Sequence, residues 1–284
     1  MRLAILFLSA LLLFTIPADT ASGFEAQGDL KIGWNVFEDG LELGVFVSPQ
    51  ASEAGDSLIR VLRIDPQHFR LRLLNASAGE DRSALTAKQW CLQNGLIAAI
   101  NASMYQQDYR TSVSLMRTRN HVNNSRLSKD MTVLAFDRRR EDVPHVKIID
   151  RECDDFKTLK DNYGTLVQSI RMLSCKGKNV WAQQPQSWST AAVGTDSDGR
   201  VLFVHVRSPF STHDLIDSLK KLPLNLSRLM YTEGGPQAQL YIRHHRSEYE
   251  FIGAFGPDLG EGNNLFARPI PNVLGIERRN PDNR

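Results

Sequence analysis

The chain has 284 residues, with 34 Lys and Arg against 32 Asp and Glu and a formal net charge of +2. The two signs are interspersed, and the one concentrated basic stretch, Arg138 to Arg140, runs straight into Glu141 and Asp142. That pattern argues against a nucleic-acid partner, whose affinity rests on neutralising many phosphates.

At the amino terminus Arg2 precedes an apolar run from Leu3 to Phe14, and small residues follow around Ala18 to Gly23. This is the three-part pattern of a secretory signal. The run is shorter than the roughly 20 residues a membrane-crossing helix needs. The expectation is therefore a cleaved signal peptide over residues 1–22 and one domain over 23–284, working in the periplasm or outside the cell without stable membrane insertion. No linker, repeat or low-complexity stretch divides the remainder. Cys91, Cys153 and Cys175 show no C-x-x-C spacing, which gives a zinc or thioredoxin-like site little support. An oxidising compartment allows one disulfide. Cys153 with Cys175 is the expected pair, because Cys91 falls in a predicted helix whose apolar face would bury it.

In chain order, Phe69, Leu71 and Leu73 alternate with Arg70 and Arg72, as in a half-buried strand. Thr86 and Gln89 then form a capping box, Leu85 and Trp90 a hydrophobic staple, and Gly95 a stop, predicting a first helix. It leads into the buried-strand pattern Leu96 to Ile100, which delivers Asn101 at its end. A short apolar stretch, Thr165 to Val167, precedes Arg171. A further strand and turn run from Ser189 to Gly199, with Asp198 and Gly199 predicting a tight hairpin. Beyond it Leu202, Val204 and Val206 alternate with Phe203, His205 and Arg207. A second helix is predicted from Ser211 to Leu222, capped by Ser211 and Asp214 and closed by Lys220, Lys221 and Pro223. The strand Leu229 to Thr232 follows and delivers Glu233. Many strands with few helices give an α+β domain with a mixed, largely antiparallel sheet. If the two strands that end in Asn101 and Glu233 are parallel neighbours, these residues meet at one sheet edge, where ligand sites are common.

The segment Glu233, Gly234, Gly235, Pro236, Gln237 is the most informative. Its glycines let a ligand approach exposed N–H groups, and the carboxylate can act as acid, base or nucleophile, or bind sugar hydroxyls. A plain hairpin turn with a solvated Glu233 fits the same residues. In the segment Asn101, Ala102, Ser103, Met104, Tyr105, Asn101 can hydrogen-bond a ligand through both amide groups or simply cap the loop that follows the buried strand. His205 and Arg207 share a strand face, where the Arg fork could hold a phosphate; Arg171 is an equivalent anion-binding candidate. A simply exposed strand face reads the same way. No G-x-S-x-G elbow, Walker loop, H-E-x-x-H or dinucleotide fingerprint is present, and no metal site or cofactor is assigned. His244 and His245 are adjacent, so a strand would point them to opposite faces.

The order of these segments resembles the phosphodiester glycosidase family, including its bacterial secreted branch. The likeness covers roughly Lys88 to Ile242. Its first motif, an Asn, two small residues and an aromatic after an apolar strand, is matched by Asn101, Ala102, Ser103, Met104, Tyr105. Where the family has a Gly-Leu segment, this chain has Ser114, Leu115, Met116. A capped helix and an Asp-Gly-Gly turn follow in the family; here Ser211 to Leu222 and Glu233, Gly234, Gly235 stand in that order, with Glu replacing the usual Asp. The resemblance implies hydrolysis of a sugar joined through its anomeric carbon to a phosphodiester. The implied partner is a carbohydrate or sugar phosphate, in envelope or exopolysaccharide glycans. It gives Glu233 and Asn101 the catalytic places, with Tyr105, Arg171, His205, Arg207, Gly234, Gly235 and Gln237 around the substrate. A non-catalytic glycan-binding module is the competing expectation. An esterase or peptidase built on Ser103 or Ser211 is a third, for which no base can be placed from sequence.

Overall fold

A computed structural model describes residues 30–254 and 266–280. The expected signal peptide lies outside the described residues.

Among the described residues sixteen strands and three α-helices follow one another. Strands β1 (Gly33–Glu38), β2 (Leu41–Val47), β3 (Leu58–Ile64) and β4 (Phe69–Asn75) precede helix α1 (Ala87–Gln93). Next come β5 (Ala98–Asn101), β6 (Met116–Arg117), β7 (Val122–Asn124), β8 (Thr132–Arg138) and β9 (Val146–Asp150). The short α2 (Phe156–Leu159) leads to β10 (Tyr163–Leu173), β11 (Trp188–Asp196) and β12 (Val201–Phe210). Helix α3 (Thr212–Lys221) is followed by β13 (Leu226–Gly234), β14 (Gln239–His244), β15 (Ser247–Ile252) and β16 (Asn272–Arg278).

The strands form two sheets. The larger has eleven strands, running β1-β2-β3-β12-β11-β13-β10-β6-β7, with β8 and β9 attached through β10; the smaller runs β15-β14-β5-β16-β4. Every pairing among the described residues is antiparallel, so the α+β class holds, with antiparallel ladders throughout.

Alternation explains the layering. In β5, Ala98 and Ile100 enter the core between the sheets, together with Phe203 and Val193 of the large sheet, while Ala99 turns outward to meet Trp90 and Cys91 of α1. Leu215, Ile216 and Leu219 of α3 cover the opposite face of the large sheet. The order is helix, sheet, sheet, helix, with two sheet faces buried against each other, α1 on the outer face of the small sheet, and α3 and the short α2 on that of the large one.

Both main helices begin where local chemistry directs. Thr86 Oγ1 accepts from Gln89 N at 3.2 Å and Gln89 Oε1 from Thr86 N at 2.9 Å, a reciprocal box. Ser211 Oγ accepts from Asp214 N at 3.1 Å. Cys91 is buried in α1, and burial pushes its thiol up to about 12. Cys153 and Cys175 are joined in a disulfide across 22 positions, as the placement of Cys91 in a helix led one to expect.

Two expectations change. The strands that end in Asn101 and Glu233 are not neighbours: β5 belongs to the small sheet and β13 to the large one. His244 and His245 do not point to opposite faces. His245 takes a left-handed turn conformation, φ 52°, so the alternation stops there and the two rings lie 4.1 Å apart. Among the described residues no helix is long and apolar enough to cross a membrane.

Candidate functional site

Glu233 sits next to last in β13, where the strand runs out into a turn. Across the ladder Tyr231 pairs with Ala192 and Glu233 with Ala191, so Thr232 is an extra residue, a β-bulge one position before the carboxylate. Bulges re-aim side chains at strand ends. Glu233 thereby joins a row of directly paired residues, Glu233–Ala191–His205–Arg60, that crosses β13, β11, β12 and β3. Paired residues share a face, and two strand spacings put the backbones of Glu233 and His205 about 10 Å apart with only a methyl side chain between.

Burial dominates the electrostatics. Desolvation pushes the Glu233 carboxyl up to about 7, against a smaller opposing effect from the Gly234 N–H, which donates to Oε1 at 3.0 Å. No cation pairs with it among the described residues. Tyr105 is half-buried, and its phenol is pushed up to about 12 by desolvation and then by the nearby Glu233 charge. Tyr231 is raised further by the same two causes. Phenols thus approach the carboxyl from the 101–105 segment and from β13 itself.

The turn needs its glycines for different reasons. A Cβ on Gly234 would collide with the Tyr231 hydroxyl and lie 2.8 Å from Trp188 Cδ1. Gly235 has φ 64°, a conformation costly for residues with a Cβ. Residues 235–237 make a single 3-10 turn.

Asn101 meets this turn from the other sheet. Its Nδ2 donates to Gln237 O at 2.9 Å and its Oδ1 accepts from Gln239 N at 2.7 Å, so the carboxamide imitates a ladder pair. It is buried, 2% exposed, with both amide groups engaged by backbone. Ser103 Oγ donates to Gln168 O at 3.1 Å and lies 3.2 Å from Ser169 Oγ, which in turn donates to Tyr231 O. Two side-chain bridges therefore hold the Asn101–Tyr105 segment against both ends of the Glu233 turn, although the strands belong to different sheets.

The other sequence candidates divide. His205 is wholly buried rather than exposed. Its Nε2 lies 3.2 Å from Ala238 O, and desolvation, with the Arg60 charge second, pushes it down to about 3. A neutral imidazole therefore props the turn after Gln237. Arg207 lies in an irregular stretch of β12, between Val206 opposite Thr190 and Phe210 opposite Trp188, and its carbonyl accepts from Ser189 Oγ. Arg171 is placed elsewhere. Its Nη1 lies 2.8 Å from both Asp150 Oδ1 and Glu152 Oε2, and Asp150 is wholly buried and also accepts from Cys175 N at 2.8 Å. That guanidinium anchors the disulfide loop, and its carboxylate partners leave it no charge for a bound anion. Ser211 caps α3, and Ser103 has no histidine partner among its hydrogen bonds.

Sequence reasoning missed Trp188, Tyr231 and two threonines. The buried atoms Thr190 Oγ1, Thr232 Oγ1 and Arg207 Nε make no hydrogen bond to other described residues, and they lie near the start of β11 and the ends of β13 and β12; the Trp188 indole stands against the Tyr231 phenol. Buried polar groups normally find partners, so hydroxyls left without them near the Glu233 turn are available to a polar ligand. No sequence signal points to them beyond their closeness to Ser189 and Glu233. Among the described residues no group of three or more His, Cys, Asp or Glu is arranged to hold a metal ion.

Comparison with known proteins agrees with this fold. The catalytic domain of zebrafish N-acetylglucosamine-1-phosphodiester alpha-N-acetylglucosaminidase, in a structure auto-inhibited by its pro-peptide, superposes with a TM-score of 0.63 over 87% of each chain at 13% identity. A hypothetical protein from Synechocystis gives 0.59 at 10% identity, over 88% of this chain and 64% of its own. No curated protein matches the chain in sequence. The family model for phosphodiester glycosidases matches residues 94–277, most of the chain, and the chain belongs to that family.

Proposed function

We propose that the protein is a secreted hydrolase that cleaves the bond between a sugar anomeric carbon and a phosphodiester, acting on envelope or exopolysaccharide glycans. The observation that carries the reading is the Glu233 carboxyl: desolvated, without a paired cation among the described residues, raised to about 7, and set at a glycine turn that Asn101 grips from the other sheet.

The leaving group of such a substrate is already a stable phosphate anion, so protonation by a general acid matters less than in an ordinary glycoside. The site must supply a base or nucleophile at the anomeric carbon and a hold on the phosphate. Ionised Glu233 serves the first role, and a carboxyl that titrates near neutrality transfers protons effectively at working pH. Arg207, with the Thr232 hydroxyl, is assigned the second; Arg171 is not. Tyr105 borders the sugar. Asn101 and His205 act as positioning residues by fixing the Gln237–Gln239 backbone, and the Gly234 amide steadies the carboxylate. The disulfide supports export, since such bonds persist mainly in oxidising compartments.

The test is hydrolysis of a panel of sugar-1-phosphodiesters, led by N-acetylglucosamine-1-phosphate esters, by wild type and Glu233→Gln. Turnover lost in the variant with its fold intact supports the reading. Glycan binding without turnover in wild type would replace it with the non-catalytic module, and undiminished turnover in the variant would remove Glu233 from the mechanism.

A further inference from the structure

An open cavity of about 370 Å³ lies on the outer side of the small sheet, between β4, the 76–85 loop, the end of α1 and the turn at Thr118 and His121. It shares no residue with the Glu233 site. Its size falls within the roughly 300–1,000 Å³ of small-molecule sites.

The lining chemistry narrows the ligand. It contains no Lys or Arg, so an anion finds no counter-charge, and Asp81 is its single carboxylate, too few for a divalent cation. The polar groups are of both kinds: amides from Gln93 and Asn94, hydroxyls from Ser83 and Thr118, the Asp81 carboxylate and the His121 imidazole. Between them stands the indole of Trp90, fixed by its Nε1 donating to Ile270 O at 2.9 Å. Several of these side chains are held by one atom and keep another free. Asn94 Nδ2 donates to Trp90 O at 3.0 Å, which leaves Oδ1. Asp81 Oδ1 accepts from Ser83 N at 3.2 Å, which leaves Oδ2. His121 Nε2 lies 2.8 Å from Ser77 Oγ, which leaves Nδ1. Interleaved donors and acceptors on fixed supports beside an aromatic ring suit a ligand that is itself covered in hydroxyls and carries no charge.

We propose that this cavity is a second, non-catalytic site that binds a neutral sugar unit. It holds a glycan chain on the face of the small sheet that α1 covers, and it stands or falls independently of the role of Glu233.

The experiment is a chemical-shift titration of the isotopically labelled protein with methyl α-glucoside, with methyl β-N-acetylglucosaminide and, separately, with inorganic phosphate. Saturable shifts from a glycoside are expected at the amides of Asp81, Ser83, Gln93 and Asn94. Affinity should fall about tenfold or more in Asp81→Ala/Gln93→Ala, from the loss of one or two hydrogen bonds, and stay unchanged in Glu233→Gln. Both substituted positions are exposed, so the fold should survive. Absence of saturable shifts with either glycoside would overturn the proposal. So would shifts confined to residues 233–237, a stronger response to phosphate, or full affinity in the double variant.

Discussion

Two titratable side chains on one strand row, Glu233 and His205, respond to burial with opposite consequences for pH. The folded protein favours the neutral Glu233 carboxyl, raised from 4.5 to about 7. That contribution is complete below pH 4.5 and is lost as pH rises through 7. Relative to wild type, Glu233→Gln should therefore gain about 2–3 kcal/mol of stability between pH 4.5 and 8, allowing for partial exposure of the side chain. Urea unfolding of both proteins across that range checks it, and parallel curves would show the carboxyl to be solvated. In catalysis the ionised form is the active one, so kcat/KM should rise about tenfold per pH unit below 7 and level off above it. For His205 the folded value falls from 6.5 to about 3. Its contribution is full above pH 6.5 and drains away as pH falls towards 3, because the unfolded chain takes up a proton that the folded one refuses. A His205→Gln variant should lose less stability than wild type between pH 6.5 and 4, by about 2–3 kcal/mol; equal acid sensitivity would mean the imidazole is reached by solvent.

At the scale of elements, the Glu233 turn and the disulfide loop each make a testable case. Gly234→Ala would place a methyl group against the Tyr231 hydroxyl and Trp188, costing about 1–3 kcal/mol and shifting the carboxylate. Thermal denaturation together with kcat measures both effects. Replacing Cys153 and Cys175 by Ser releases a 22-position loop and should cost about 3 kcal/mol, with the Arg171–Asp150 pair loosened beside it. What the sequence made legible here was local. The Thr86–Gln89 box, the Ser211 cap and the Asp198–Gly199 hairpin each depend on residues a few positions apart, and each is where the pattern put it. What it hid was long-range. The alternation of Leu96 to Ile100 and of Leu229 to Thr232 says nothing of which sheet each strand joins. The bulge at Thr232 leaves no mark in composition. Arg171 is occupied by carboxylates at Asp150 and Glu152, visible only once β9 and β10 have docked through β8. The pair that mattered, Asn101 and the Glu233 turn, does come together, through a carboxamide bridging two sheets rather than through neighbouring strands.

For the whole molecule, the core between the sheets ties segments distant in the chain into one unit. Leu43 and Leu62 near the beginning share it with Leu240, Leu274 and Ile276 near the end. The last strand, β16, lies between β4 and β5, with Leu71 opposite Ile276 and Ile100 opposite Leu274. Deleting residues 272–284 should therefore abolish the cooperative unfolding transition altogether, whereas a self-sufficient large sheet would leave a residual one in calorimetry. The same placement sets a clock on biogenesis. While the ribosome is still making residues 1–270, the small sheet has a gap between two of its strands, and the long-range pairings that must close it are slow to form. Until Asn272–Arg278 have been made, β4 and β5 lack the strand that pairs with both, and the small sheet stays open. Were the chain exported as proposed, it would meet a translocation channel before this sheet has closed, and the Cys153–Cys175 bond would form in a compartment that allows oxidation.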